Sequence, residues 1–343
     1  MRLPLLILAT VMSLAGTATL RAEDYPAKPV TLIVPFTPGG PADSAGRIIA
    51  RALEHQSGRP FIVENIGGAG STIGVTRAAN ATPDGYSLLL ASSSALVMAP
   101  HLYTNLRYNP FTSLLPIGQI TEAPFIVLVN SASKFRSYAD LLDYGKANPG
   151  KMNFATPGLG TVQHVTIELM MDVGRFSATH VPFKGAAPTV TALLGGEVDF
   201  IVETPNSADA LVAAGRLRPL AITGTRRLPQ MPDTPTFQEL GQKDVEMRSW
   251  FALIAPKGVP APIMAKLEAM LNAALTNEET RKAFRAAGFE PAPMPPAEVS
   301  TMIRREHEKF GAIIKAKNIK LGHAPPLQEG TVLAGLTGGS SVR

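Results

Sequence analysis

The residues with the clearest chemical potential in this chain sit in two glycine-rich bends. One covers residues 37–41 within TLIVPFTPGGPADSAGR, the other residues 157–161 within MNFATPGLGTVQH. In each, an apolar run that reads as a strand enters the bend and a helix leaves it. Such a bend aims backbone N–H groups and the positive end of a helix dipole at one point, which is chemistry for holding an anion. Gly39 and Gly40 give the first bend either a close backbone approach to a ligand carboxylate or a tight turn. Asp43 falls in the first helical turn, where a carboxylate suits the dipole or accepts from a ligand donor or a bridging water. In the second bend, Gly158 and Gly160 precede Thr161, which can cap its helix and donate to a ligand. His164 lies one turn on, placed for ligand contact or for bracing the loop.

Other constellations point away from catalysis. Ser92, Ser93 and Ser94 end an apolar strand and read as hydroxyl donors on a cleft wall. A G-x-S-x-G nucleophile elbow is missing, so a secreted serine hydrolase fails at its first requirement. Lys184 and Gly185 follow the strand HVPF, where a lysine is either solvated or set to neutralise a carboxylate. The run at 67–74, GGAGSTIG, has G-x-G-x-x-x-G spacing and lacks an acidic residue at a strand end about 20 positions on, so it reads as close helix packing rather than a dinucleotide site. Six histidines form neither H-x-x-x-H nor H-E-x-x-H, and the chain has no cysteine. Disulfides and thiolate chemistry are thereby excluded, and neither a metal nor a cofactor is expected. The expected activity is capture, not conversion.

Residues 1–22 have the form of a secretory signal: Arg2, an apolar core over 3–14, and small residues at Ala18 and Ala22, either of which suits cleavage. An exported, periplasmic protein is expected. The formal charge of +5 falls to +3 once Arg2 and Arg21 leave with that segment, and without a basic stripe or interleaved aromatics there is no footprint for nucleic acid. The 30 prolines and 30 glycines fall between apolar runs and so mark turns.

The remaining pattern alternates strand and helix. Strands are expected at 30–35, 61–64 and 87–91, with an amphipathic helix between the first two that places Ile48, Ile49, Ala52 and Leu53 on one face and Arg47, Arg51 and Glu54 on the other. A long apolar stretch over 117–130, interrupted at 122–124, reads as a crossing into a second domain. There, strands are expected at 125–129, 153–155, 180–182, 198–202 and 217–223, and Ser137 with Asp140 forms a capping box. Residues 226–241 are proline-rich and irregular. A strand at 250–255 marks the return crossing, followed by helices at 262–275, 278–287 and 297–316. The expected domains are 25–121 with 249–322, and 122–248, with a tail at 323–343. Two α/β domains joined by two strand crossings suit hinge closure around a ligand.

The runs YPAKPVTLIVPFTPGGPAD, ENIGGAGSTIG, PDGYSLLLASSS, GLGTVQH, HVPFKG, GGEVDF, PDTPTFQELG and WFALIAPKGVP, in this order and over residues 25 to about 321, resemble the Bug family. That family comprises the solute-binding (TctC-like) components of tripartite tricarboxylate transporters. The resemblance implies a type II periplasmic-binding-protein fold and small organic carboxylates as ligands. It implies delivery to membrane permease subunits, by a chain expected to be monomeric. It points to Phe36, Gly39, Gly40 and Asp43; to Ser92 and Ser93; to Gly160, Thr161 and His164; and to Lys184 and Gly185 as ligand contacts. Phe183 stands where the family often has tyrosine. Glu203, with Thr204, stands where an Asp-Asn pair is common, and is counted as a further ligand contact. A sensor or scavenger presenting ligand to a signalling partner needs the same cleft, and neighbouring genes would separate the two.

Overall fold

The computed structural model describes residues 25–316. The signal segment and the tail expected at 323–343 lie outside the described residues. In chain order the elements begin β1 (Val30–Val34), α1 (Pro41–Ser57), β2 (Phe61–Asn65), α2 (Thr72–Ala79), β3 (Ser87–Ser92), α3 (Ala99–Leu102) and β4 (Leu114–Pro124). They continue through β5 (Ile126–Asn130), α4 (Tyr138–Ala147), β6 (Met152–Thr156), α5 (Val162–Gly174), β7 (Ala178–Pro182), α6 (Ala186–Gly195), β8 (Phe200–Glu203), α7 (Pro205–Ala213) and β9 (Leu217–Ile222). The chain closes with β10 (Arg248–Pro256), α8 (Ala261–Thr276), α9 (Glu278–Ala286), β11 (Glu290–Met294) and α10 (Pro296–Ala316).

Two mixed sheets result, with strand orders β11-β4-β10-β3-β1-β2 and β7-β6-β8-β5-β9. β1 pairs in parallel with β2 and β3, and β6 in parallel with β7 and β8. β1 is VTLIV, nearly all buried, as a central strand covered on both faces requires. α1 starts at Gly40 with Pro41 in its first turn and stops at Gly58, whose left-handed backbone returns its N–H to the Glu54 carbonyl. This is the Pro-first, Gly-last asymmetry of helices. The Ser137–Asp140 capping box forms as the sequence predicts. The helices α6 and α7, the edge strand β11 and a π-type turn at Ser94–Met98 were not anticipated.

The first crossing is tighter than the sequence suggests. The expected interruption at 122–124 lies inside β4, because Glu122 and Pro124 pair with Trp250 and Arg248 of β10. Only Phe125 separates β4 from β5. The return, from β9 to β10, runs through the irregular segment after Ile222. Thr223 ties the two crossings together: its hydroxyl accepts from the Phe125 N–H at 2.8 Å and donates to the Met247 carbonyl. Thr223 is 1% exposed, so Thr223→Val would strand both backbone groups away from water. A loss of about 2 kcal/mol in unfolding free energy is expected, read by urea denaturation. An unchanged midpoint would mean that the crossing does not depend on this clasp.

Candidate ligand-binding site

The sheet topology brings the expected site residues toward one place. The carboxyl ends of β1, β2 and β3 carry the loops 36–40, 66–71 and 92–94, and those of β6, β7 and β8 carry 157–161, 183–185 and 203–205. Ser92 pairs with Phe251, three residues past the return crossing, and Glu203 pairs with Ile126, next to the first. Both sets of strand ends therefore flank the crossings, where ligands bind in open α/β sheets.

In the first loop, Phe36 is half-buried against the core under α1, and its carbonyl accepts from Asn65 Nδ2 at 3.3 Å. Gly39 has φ +83°, a left-handed backbone. Its N–H donates to Asp43 Oδ2 at 3.0 Å, and Arg47 donates to the same oxygen at 3.0 Å. Burial alone would raise the Asp43 carboxyl, but the Arg47 guanidinium and the Gly39 N–H hold it below the usual carboxylate range. Asp43 thus locks the loop onto the helix, and its carboxylate already has partners. Gly40 is the N-cap of α1, with φ −90° and ψ 178°. The first-turn N–H groups beyond it have no intrahelical acceptor, as at any helix start.

The second loop is braced by two histidines. The Gly160 N–H donates to His164 Nδ1 at 3.1 Å, which places the ring proton on Nε2, 3.6 Å from Glu168 Oε1. His164 is buried and stacks on His180 with ring centroids 4.0 Å apart. His180 Nε2 lies 2.7 Å from Thr156 Oγ1, which in turn donates to the Gly158 carbonyl. Burial, with the nearby His164, pushes His180 down to about 4, so it stays neutral at pH 7. The Thr161 hydroxyl donates to the Gly158 carbonyl at 2.8 Å and accepts from the His164 N–H at 3.4 Å. In this conformation, then, Gly160, Thr161 and His164 shape the loop with their polar groups already engaged. The donors left at the head of α5 are the N–H groups of Val162 and Gln163. His180 escaped the sequence reading, since its contact with His164 joins β7 to α5 and no spacing rule links them.

The loop after β7 is zipped to its neighbour. The Gly185 N–H donates to the Pro157 carbonyl at 2.9 Å, and Gly185, at φ +109°, caps α6. Lys184 beside it is exposed. Ser93 is buried, and Ser92 is buried with a hydroxyl that has no hydrogen-bond partner. Glu203 is 1% exposed, accepts from the Thr204 N–H at 3.3 Å through Oε2, and leaves Oε1 unpartnered. Burial pushes its carboxyl up to about 7 against the lowering effect of Thr204, Gln163 and Ser207. Unpartnered buried polar atoms are rare in folded proteins. Two of them stand at strand ends, Ser92 Oγ at the end of β3 and Glu203 Oε1 at the end of β8.

Two α/β sheets joined by two crossings, with helix N-termini gathered at the strand ends, give this chain the fold of periplasmic binding proteins, the class of its solved relatives. The model of the tripartite tricarboxylate transporter family receptor, TctC, matches residues 45–319, and the chain belongs to that family. Protein BugT of Bordetella pertussis (strain Tohama I) is 34% identical over 319 residues, covering 92% of this chain and 98% of BugT. R. palustris Rpa4515, solved with adipate, is 30% identical with a TM-score of 0.81, covering 87% of this chain and 100% of that one. MatC (Rpa3494) from Rhodopseudomonas palustris, with bound malate, is 29% identical with a TM-score of 0.77, covering 84% and 100%.

Proposed function

We propose that this chain captures a small organic carboxylate, of the size and dicarboxylate class of adipate or malate, between its two sheets. It works in the periplasm, hands the ligand to the permease subunits of a tripartite transporter, and performs no chemistry on it. Residues 25–121 with 249–322, and 122–248, act as the two closing domains. The observation that carries the reading is the pair of glycine loops at the heads of α1 and α5, both flanking the crossings. Each adds helix-start donors at the carboxyl end of a strand that pairs in parallel with its neighbours, which favours anions without requiring a charged side chain. Ser92 and Glu203 supply the further polar contacts, and Lys184 adds long-range attraction at the rim. Phe36 and Phe183 present apolar surface that suits the methylene segment of such an acid.

A thermal-shift screen of the purified protein against mono-, di- and tricarboxylic and aromatic acids tests this. A ligand present at about 100 times its dissociation constant stabilises by roughly 2.7 kcal/mol, a shift well above noise. A flat melting temperature across the whole panel would remove the carboxylate class.

A further inference from the structure

A cavity of about 710 Å³ lies beside the crossings, outside the two glycine loops. One wall is the end of β4, Arg248, and the corner between α9 and β11; the other is the start of α7 and the loop over residues 224–230. Its volume is that of a small-molecule site, about 300–1,000 Å³. Most of its charges are already paired: Arg227 with Glu239, Arg248 with Glu122, and Arg285 with Glu290. Two are not. Among the described residues Arg226 makes no ion pair or side-chain hydrogen bond. Asp209 accepts from Gln230 Nε2 at 3.0 Å through Oδ2, while Oδ1 is buried with no partner. Burial raises the Asp209 carboxyl above its ordinary range, as befits a carboxylate that lacks a cation. The cation and the carboxylate line one cavity without meeting each other.

We propose that this cavity is a second ligand site, for a zwitterionic amino acid whose carboxylate meets Arg226 and whose ammonium meets Asp209 Oδ1. A guanidinium receives a carboxylate through two parallel N–H donors, and an ammonium supplies the donor that Oδ1 lacks. The walls belong to both sheets. Gly288 on one side sits so close to Asn206 at the head of α7 that a Cβ there would stand 2.6 Å from the Asn206 Cα. An occupant held between these walls favours the present arrangement of the two sheets. Its binding is therefore coupled, reciprocally, to capture between the glycine loops.

The test uses isothermal titration of the purified protein and of Gly40→Val, with L-aspartate and L-lysine as probes. Succinate and putrescine are the controls that carry charge of one sign only. The expected result is saturable binding of an amino acid that survives in Gly40→Val and is weakened at least about tenfold, ~1.4 kcal/mol, by Arg226→Ala and by Asp209→Asn. Neither control should reproduce it. Arg226 is exposed and Asp209→Asn keeps its shape, so the melting temperatures of both variants report that they fold. The site is overturned if Gly40→Val binds neither amino acid, or if both cavity variants bind as the parent does. It is equally overturned as a zwitterion site if succinate binds as well as aspartate and depends on Arg226 alone. The carboxylate screen of the parent protein stands or falls separately, since its readout does not involve these variants.

Discussion

Gly40→Val is expected to fold as the parent does and to lose its carboxylate ligand. Gly40 sits at φ −90° and ψ 178°, an extended backbone that a β-branched residue favours. A Cβ built there meets only the Thr37 carbonyl, at 3.9 Å, so valine adds no clash inside the protein. Its neighbour Gly39 would be a poor choice for the same experiment, because φ +83° strains any L side chain. At Gly40 the only thing a side chain displaces is whatever approaches the head of α1. Two methyl groups there hold a carboxylate away from the first-turn N–H groups and leave those donors unsatisfied. Charge-assisted hydrogen bonds contribute roughly 1.5–3 kcal/mol each, so affinity should fall at least about a hundredfold, ~2.7 kcal/mol. Titration with the strongest acid from the screen measures it, beside the melting temperature of the unliganded protein. Equal affinity in the two proteins would mean that the head of α1 does not touch the ligand.

The elements around the first bend were legible because their signals are local. An apolar run, two glycines, a proline and an acid within fourteen residues specify strand, bend and helix start without reference to the rest of the chain. The same holds for the Ser137–Asp140 box and for α8, α9 and α10, whose ends fall within a residue of expectation. The elements that escaped have weak or contradictory local signals. α6 reads AAPTVTALLG, with Pro188 in its first turn, and β11 reads EPAPM, two prolines in five residues. Proline is tolerated at those places only because one is a helix start and the other a sheet edge, and that is known only from the fold. The site divides along the same line. Gly39, Gly40 and Thr161 follow from spacing. What Asp43, Gly160 and His164 actually do follows from partners: Arg47 and Gly39, then His164, then His180 and Glu168. A sequence motif marks such residues without telling a ligand contact from a brace. Thr223 carried no signal at all, since its partners Phe125 and Met247 are 98 and 24 residues away.

Glu203→Gln is expected to change the pH dependence of stability more than any other single substitution at the site. Glu203 is enclosed at the end of β8, with Oε1 unpartnered and only polar, uncharged groups from Thr204, Gln163 and Ser207 to support an ionised carboxylate. Burial therefore raises its carboxyl from the ordinary 4.5 of a glutamate to about 7. Between those two pH values the folded protein holds a proton here that the unfolded chain has released, so stability falls as pH rises through that window and stays reduced above it. The accumulated cost is on the order of 3 kcal/mol, at 1.36 kcal/mol per unit. Glutamine keeps the shape and cannot ionise. The variant should match the parent near pH 4.5 and exceed it by about 3 kcal/mol at pH 8, read as the difference between two denaturation series across pH, in which all other titrating groups cancel. The ligand should feel the same charge. A carboxylate drawn toward the strand ends meets a neutral, hydrogen-bond-donating Glu203 below pH 7 and a buried anion above it. The parent should thus lose affinity for its acid as pH rises from 6 to 8, while the variant holds its affinity constant. Parallel stability curves, with the variant less stable at every pH, would mean that Glu203 is ionised throughout and held by its donors. Its unpartnered oxygen would then face a ligand's donor rather than a ligand's carboxylate.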